Sequence, residues 1–190
     1  MKTCGALLLV GFCALSVVAI PRAAVAETTS SEAAQPLRLM IAPTQASYAV
    51  SDVPTTQYPT SKVAVFWVTA DIHNVSQEDQ WFYAVESTAT PGYELTGPAG
   101  KPLEASYVIS DPGLPRKEDF VLIKAGESLP KRFEVRFWTG DAVAPGTYML
   151  SMTYRVWQDW YFDPDTSTRV DLHAWTGTLR SNDVAIQVTP

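Results

Sequence analysis

The sequence predicts an all-β fold, an antiparallel sandwich of about nine short strands, and three observations predict it. From Tyr148 to Val156 the residues Tyr148, Leu150, Met152, Tyr154 and Val156 alternate with a mainly polar set, the period of a strand with one packed and one wet face. Similar runs recur at roughly ten-residue spacing between turn residues. Beyond Ile20 no window of a dozen residues carries the i, i+3, i+4 spacing of an amphipathic helix.

The first 26 residues stand outside that pattern. Lys2 precedes an almost unbroken apolar run from Ala6 to Ile20, and Ala24-Val25-Ala26 has the small-x-small form of a cleavage site, so a secretory signal peptide is expected, removed after Ala26. The run stops at Pro21-Arg22, short of the roughly 20 residues that span a bilayer. Bulky Phe12 before Cys13 argues against a lipid anchor there. Cleavage takes away Cys4 and Cys13, leaving neither disulfide nor thiol. It also removes Lys2 and Arg22, which moves the net charge from −6 to −8. Nucleic acid and anionic membranes need a basic footprint and are excluded as partners. No membrane insertion of the mature chain is expected. A periplasmic or secreted location follows from the signal.

Residues 27–36 are small and polar, a flexible N-terminal tail, and 37–190 remain for one sandwich domain. Leu37, Leu39 and Ile41 alternate as a first strand that Pro43 ends. Gln45 to Val50 adds a short piece, and Asp52 to Ser61 reads as a proline-bearing loop. In Lys62 to His73, Ala64, Phe66, Val68, Ala70 and Ile72 form one face, while Val63, Val65 and Trp67 make the other partly apolar, which predicts a central strand. Asn74 to Gln80 turns the chain into a strand from Trp81 to Val85. Asn74-Val75-Ser76 has the form of a glycosylation sequon, but an asparagine bonding its own turn is the simpler reading.

Between Thr90 and Pro102 the Gly and Pro density predicts short strands joined by tight turns. Ala105 to Ile109 is read as a strand, Asp111 to Asp119 as an exposed charged loop, and Phe120 to Ile123 as a strand. Leu129, Phe133, Val135 and Phe137 alternate with charged positions before the Tyr148 strand. The pattern breaks after Trp157; Arg169 to Leu179 is read as a return arm, and Val184, Ile186 and Val188 mark the last strand.

Two local patterns carry a resemblance. Leu122-Ile123-Lys124-Ala125-Gly126-Glu127-Ser128 and Ala144-Pro145-Gly146-Thr147-Tyr148, with Asn182 to Ile186 as a last strand, resemble the turns of bacterial immunoglobulin-like and fibronectin-like secreted domains. The resemblance covers Phe120 to the C-terminus and concerns the fold. It implies an immunoglobulin-like sandwich in which Tyr148 is a tyrosine corner, its hydroxyl bonded to backbone upstream. Leu150 stands where antibody domains have cysteine.

Catalytic motifs are absent: there is no Gly-x-Ser-x-Gly, no His-Glu-x-x-His and no phosphate-cradling Gly-rich loop. His73 and His173 are the two near-neutral proton carriers, and each sits where a strand meets a turn. Met149 and Met152 lie three apart, so on a strand they face opposite ways and do not join His173 as copper ligands. Asp159, Asp163, Asp165 and Asp171 offer hard oxygens, but their spacing matches no calcium loop. No catalytic residue, metal or cofactor is expected. The candidate binding residues are Trp157, Trp160, Tyr161 and Phe162, crowded into one loop, because rings give large contact area at low entropy cost. The competing reading has them fold back over the sandwich end. Trp67, Trp81, Trp138 and Trp175 are assigned to core or sheet faces. The expected function is an exported, non-enzymatic binding or accessory domain, inhibitor-like in one form, that recognises a protein through this loop. Carbohydrate or envelope-polymer binding by the same rings is the alternative, and a hydrolase or metal carrier using His73, His173 and the acidic loop is third.

Overall fold

Two long strands set the frame. β4 (Lys62–Asn74) and β9 (Ser128–Gly140) pair antiparallel, bringing Phe66 opposite Val135 and Ala64 opposite Phe137. β9 occupies one edge of β4, and β1 (Leu37–Pro43) and β3 (Thr55–Gln57) share the other. The computed structural model describes residues 35–57, 62–85, 91–106, 113–140 and 142–190. The expected signal peptide and most of the tail lie outside them.

The second large sheet is built on β10 (Gly146–Val156), whose inward side chains Tyr148, Leu150, Met152, Tyr154 and Val156 are each no more than 2% exposed. Along one edge it pairs with β6 (Pro91–Thr96), which pairs with β7 (Pro102–Leu103). Its other edge is shared by β13 (Gly177–Arg180) and β14 (Val184–Thr189). Between those two, Ser181 stands in as a ladder partner: its N–H donates to the Met152 carbonyl (2.9 Å) and its Oγ accepts from the Met152 N–H (2.8 Å). Asn182 then turns to the first sheet, accepting from the Ile41 N–H (2.8 Å) and donating to the Ile41 carbonyl (3.1 Å). The expected short piece near Gln45 is β2 (Ser47–Ala49), which joins β14 in parallel.

The two sheets pack face to face through rings. Phe66, fully buried on the first sheet, meets Tyr148 edge-on at 5.3 Å and Tyr48 at 5.3 Å; Phe133 meets Tyr154 at 5.9 Å. β5 (Gln80–Tyr83) and β8 (Phe120–Ile123) form a separate pair that closes the same core, with Phe82 against Tyr154 and stacked on Trp175. The Tyr148 hydroxyl donates to the Ala144 carbonyl at 2.8 Å, the upstream backbone bond expected of it.

The fold is all-β and mainly antiparallel, as the periodicity predicts. It differs in detail: the described residues hold fourteen strand segments rather than about nine. The extra ones are short, and backbone pairing distant in sequence creates them. Thr55–Gln57 lies inside the expected loop and pairs with β4. Of the expected Ala105 to Ile109 strand, Ala105 makes one bridge to Phe137, and residues 107–109 lie outside the described part. The irregular segment after Trp157 is a hairpin of β11 (Trp160–Asp163) and β12 (Thr168–Asp171).

Candidate binding end of the sandwich

The hairpin sits directly after β10, so the strand that carries the core face delivers the aromatic residues to one end of the molecule. Register decides what each ring does. Trp160 lies opposite Asp171 and Phe162 opposite Arg169, which puts these four side chains on one face; Tyr161, opposite Val170, takes the other. Tyr161 and Leu172 pack on the core. Trp157, just before the hairpin, is 48% exposed.

The four rings expected as one patch are therefore divided. Trp157 faces solvent, Trp160 is covered by a guanidinium, Tyr161 leans on the core and Phe162 lines a groove. The division arises because a two-stranded hairpin turns successive residues to opposite faces.

Arg169 organises the outer face. Its guanidinium lies 4.9 Å over the Trp160 ring, its Nε donates to Asp171 Oδ1 at 2.8 Å, and it lies 3.7 Å from Asp159 Oδ1. Two of the four aspartates considered for calcium are thus bound to an arginine. Asp163 instead accepts from the Asp165 N–H at 3.0 Å. Exposed ion pairs contribute about 0–1 kcal/mol, so Arg169→Met is expected to leave the melting temperature nearly unchanged. Amide exchange across Trp160 to Asp171 should rise severalfold in that variant, because Arg169 links the two hairpin strands to each other and to Asp159. Unchanged exchange would show that backbone pairing alone holds the hairpin.

Besides the core packing of Tyr161 and Leu172, the hairpin is tied to the charged loop. The Phe162 N–H donates to the Pro115 carbonyl at 2.7 Å. Between the hairpin and that loop lies an open groove of about 1120 Å³, walled by Gly113 to Asp119 on one side and Tyr161 to Asp165 on the other. Leu114, 59% exposed, stands at its rim. Asp119 accepts from the Arg116 N–H at 2.7 Å and fixes the loop's short 3-10 turn, Lys117–Asp119. Beneath it, burial pushes the Tyr83 hydroxyl above its usual range, and the Asp119 charge adds to this. The loop's part in the site is not expressed in local sequence pattern; an apolar Leu114 inside a charged stretch is the one hint.

The other candidates lie apart from this end. His73 Nδ1 is 3.0 Å from Ser128 Oγ, and Ser128 donates to Asp71 Oδ2 at 2.9 Å. With its one proton directed at Asp71, Ser128 receives a hydrogen bond from His73, so the imidazole is not placed to deprotonate it. His173 is exposed, with a left-handed backbone (φ 52°), and shares no partner with His73 among the described residues. Met149 is 41% exposed while Met152 is buried, on opposite faces as expected. Trp81 and Trp175 pack on the core, and Arg132 lies 4.2 Å over Trp67 on the outer face of the first sheet. Asn74 is fully buried and bonds within its own turn.

No family model and no curated protein matches the chain. Among solved structures it is similar to the Northeast Structural Genomics Consortium target SoR45, over 82% of this chain and 88% of that one, at 12% identity and a TM-score of 0.43. It is also similar to ycdA of Bacillus subtilis, provisionally described as a lipoprotein, over 75% of this chain and 36% of that one, at 12% identity and a TM-score of 0.33.

Proposed function

We propose that the chain is an exported, non-enzymatic binding or accessory domain of immunoglobulin-like fold that recognises a protein partner through the hairpin end. The division of main strands into β1, β4 and β9 on one sheet and β6, β10 and β14 on the other supports the fold assignment, as does the Tyr148 bond to Ala144. β8 departs from that scheme by pairing with β5. Export rests on the apolar run from Ala6 to Ile20 and the Ala24-Val25-Ala26 site, and a periplasmic or secreted location goes with it.

One observation carries the binding reading: an open groove of about 1120 Å³ lined by Tyr161 and Phe162, with Trp157 exposed nearby in the chain. Protein interfaces concentrate their energy in such rings. A photo-crosslinking residue replacing Leu114, with one replacing Met149 as control, would trap a partner in the native compartment and allow it to be purified. Trp157→Ala with Phe162→Ala is then expected to weaken that partner's binding at least about tenfold, with the melting temperature within a few degrees of the parent. Crosslinks equal at both positions, or unchanged affinity in the double variant, would overturn the reading. Retention on a glycan array that requires Trp157 would favour carbohydrate binding instead.

A further inference from the structure

We infer that the groove takes a cationic segment of the partner, an extended stretch in which lysine or arginine flanks a large apolar side chain. The inference rests on the protein-binding reading and adds the chemistry of what is bound.

Groove shape and charge point the same way. Leu114, Phe162 and Pro164 offer apolar surface along an open channel, which suits a side chain anchored from an extended peptide. Among the charged residues that wall it, Glu118, Asp119, Asp163 and Asp165 outnumber Arg116 and Lys117. Arg116 lies 3.9 Å from Glu118. Asp163 and Asp165, at the hairpin tip, have no cation beside them among the described residues. An anionic segment would meet that repulsion, and a neutral one would leave the carboxylates uncompensated.

The chain also contains its own example of the recognition. A few residues away, the Arg169 guanidinium lies over Trp160 and between Asp159 and Asp171, a cation held by one ring and two carboxylates. The groove wall holds groups of the same kinds, Phe162 together with Asp163 and Asp165, and those two carboxylates have no cation beside them among the described residues.

Three fluorescein-labelled twelve-residue peptides test this by anisotropy with the full mature chain: alternating Lys and Leu or Phe, the same with Gln for Lys, and the same with Glu. The cationic peptide should bind about tenfold tighter than the neutral one at about 20 mM salt, and the preference should shrink at about 300 mM, where screening is short-ranged. Asp165→Asn with Glu118→Gln should cut the preference about threefold or more, and Phe162→Ala should weaken the cationic and neutral peptides alike. Equal binding of these two, still lost in Phe162→Ala, would overturn the inference and leave the protein-binding reading standing. Binding of the cationic peptide indifferent to Phe162 would place it outside the groove and overturn the inference. No binding by the cationic peptide would overturn the inference alone, since the crosslinking experiment decides the other.

Discussion

Phe66→Ala is expected to lower the unfolding free energy by about 3–5 kcal/mol, the range for truncating a buried aromatic. Phe66 is fully buried at the centre of β4 and touches rings from three directions: Tyr48, Phe137 and Tyr148, all within 5.3 Å between centroids. Two of those neighbours, Tyr48 and Tyr148, belong to the second sheet, so the cavity opens at the seam between sheets, where neither can close it without breaking ladder bonds. A domain of this size has about 5–15 kcal/mol in total, so the variant should lose a large share of its stability. Urea unfolding followed by tryptophan fluorescence measures it. A loss below about 1 kcal/mol would mean the seam repacks freely and is not the core described.

Asn74→Ala should cost about 2–4 kcal/mol, although it removes only a carboxamide. The side chain uses all its capacity: Nδ2 donates to the Glu78 carbonyl (2.8 Å) and the Ile123 carbonyl (2.9 Å), and Oδ1 accepts from the Ser76 N–H (3.0 Å) and hydroxyl (2.8 Å). It joins the end of β4 to the end of β8, and alanine leaves several of these groups inside without partners. Asn74→Asp adds a sign that can be checked with pH. A carboxylate there is buried and faces two carbonyls, so its folded pKa lies above its unfolded value of about 3.9. The contribution is fully present below the unfolded value and is lost as pH rises through the folded one, so the aspartate variant should be closest to the parent near pH 4 and fall behind above it. A deficit that shrinks as pH rises would show that the site is solvated.

Strand interiors were legible because burial follows local period: the buried faces of β1, β4 and β10 are the alternating residues themselves. The Asn74 turn was legible because its bonds to Ser76 and Glu78 close within four residues, whereas its bond to Ile123 spans 49; the Tyr148 bond to Ala144 was expected from the resemblance alone. What periodicity does not carry is distance. The parallel β2–β14 pair joins residues such as Tyr48 and Val188, and the groove exists because Phe162 reaches Pro115. No repeat encodes such partners. The same limit applies to the rings: their presence in one segment was readable, but their separation onto two faces depended on a hairpin register that puts Arg169 opposite Phe162.

The Asn182 side chain has a consequence for the company the protein keeps. By matching the Ile41 N–H and carbonyl with one amide, it occupies the flank of β1 as a strand from another molecule would. Open flanks of this kind recruit copies of the same chain and seed fibrils or amorphous precipitate. Here the Ile41 position of that flank is capped from within, at the break between β13 and β14 where the chain leaves one sheet to touch the other. The irregularity in the last strands thus obstructs strand addition to β1 at Ile41.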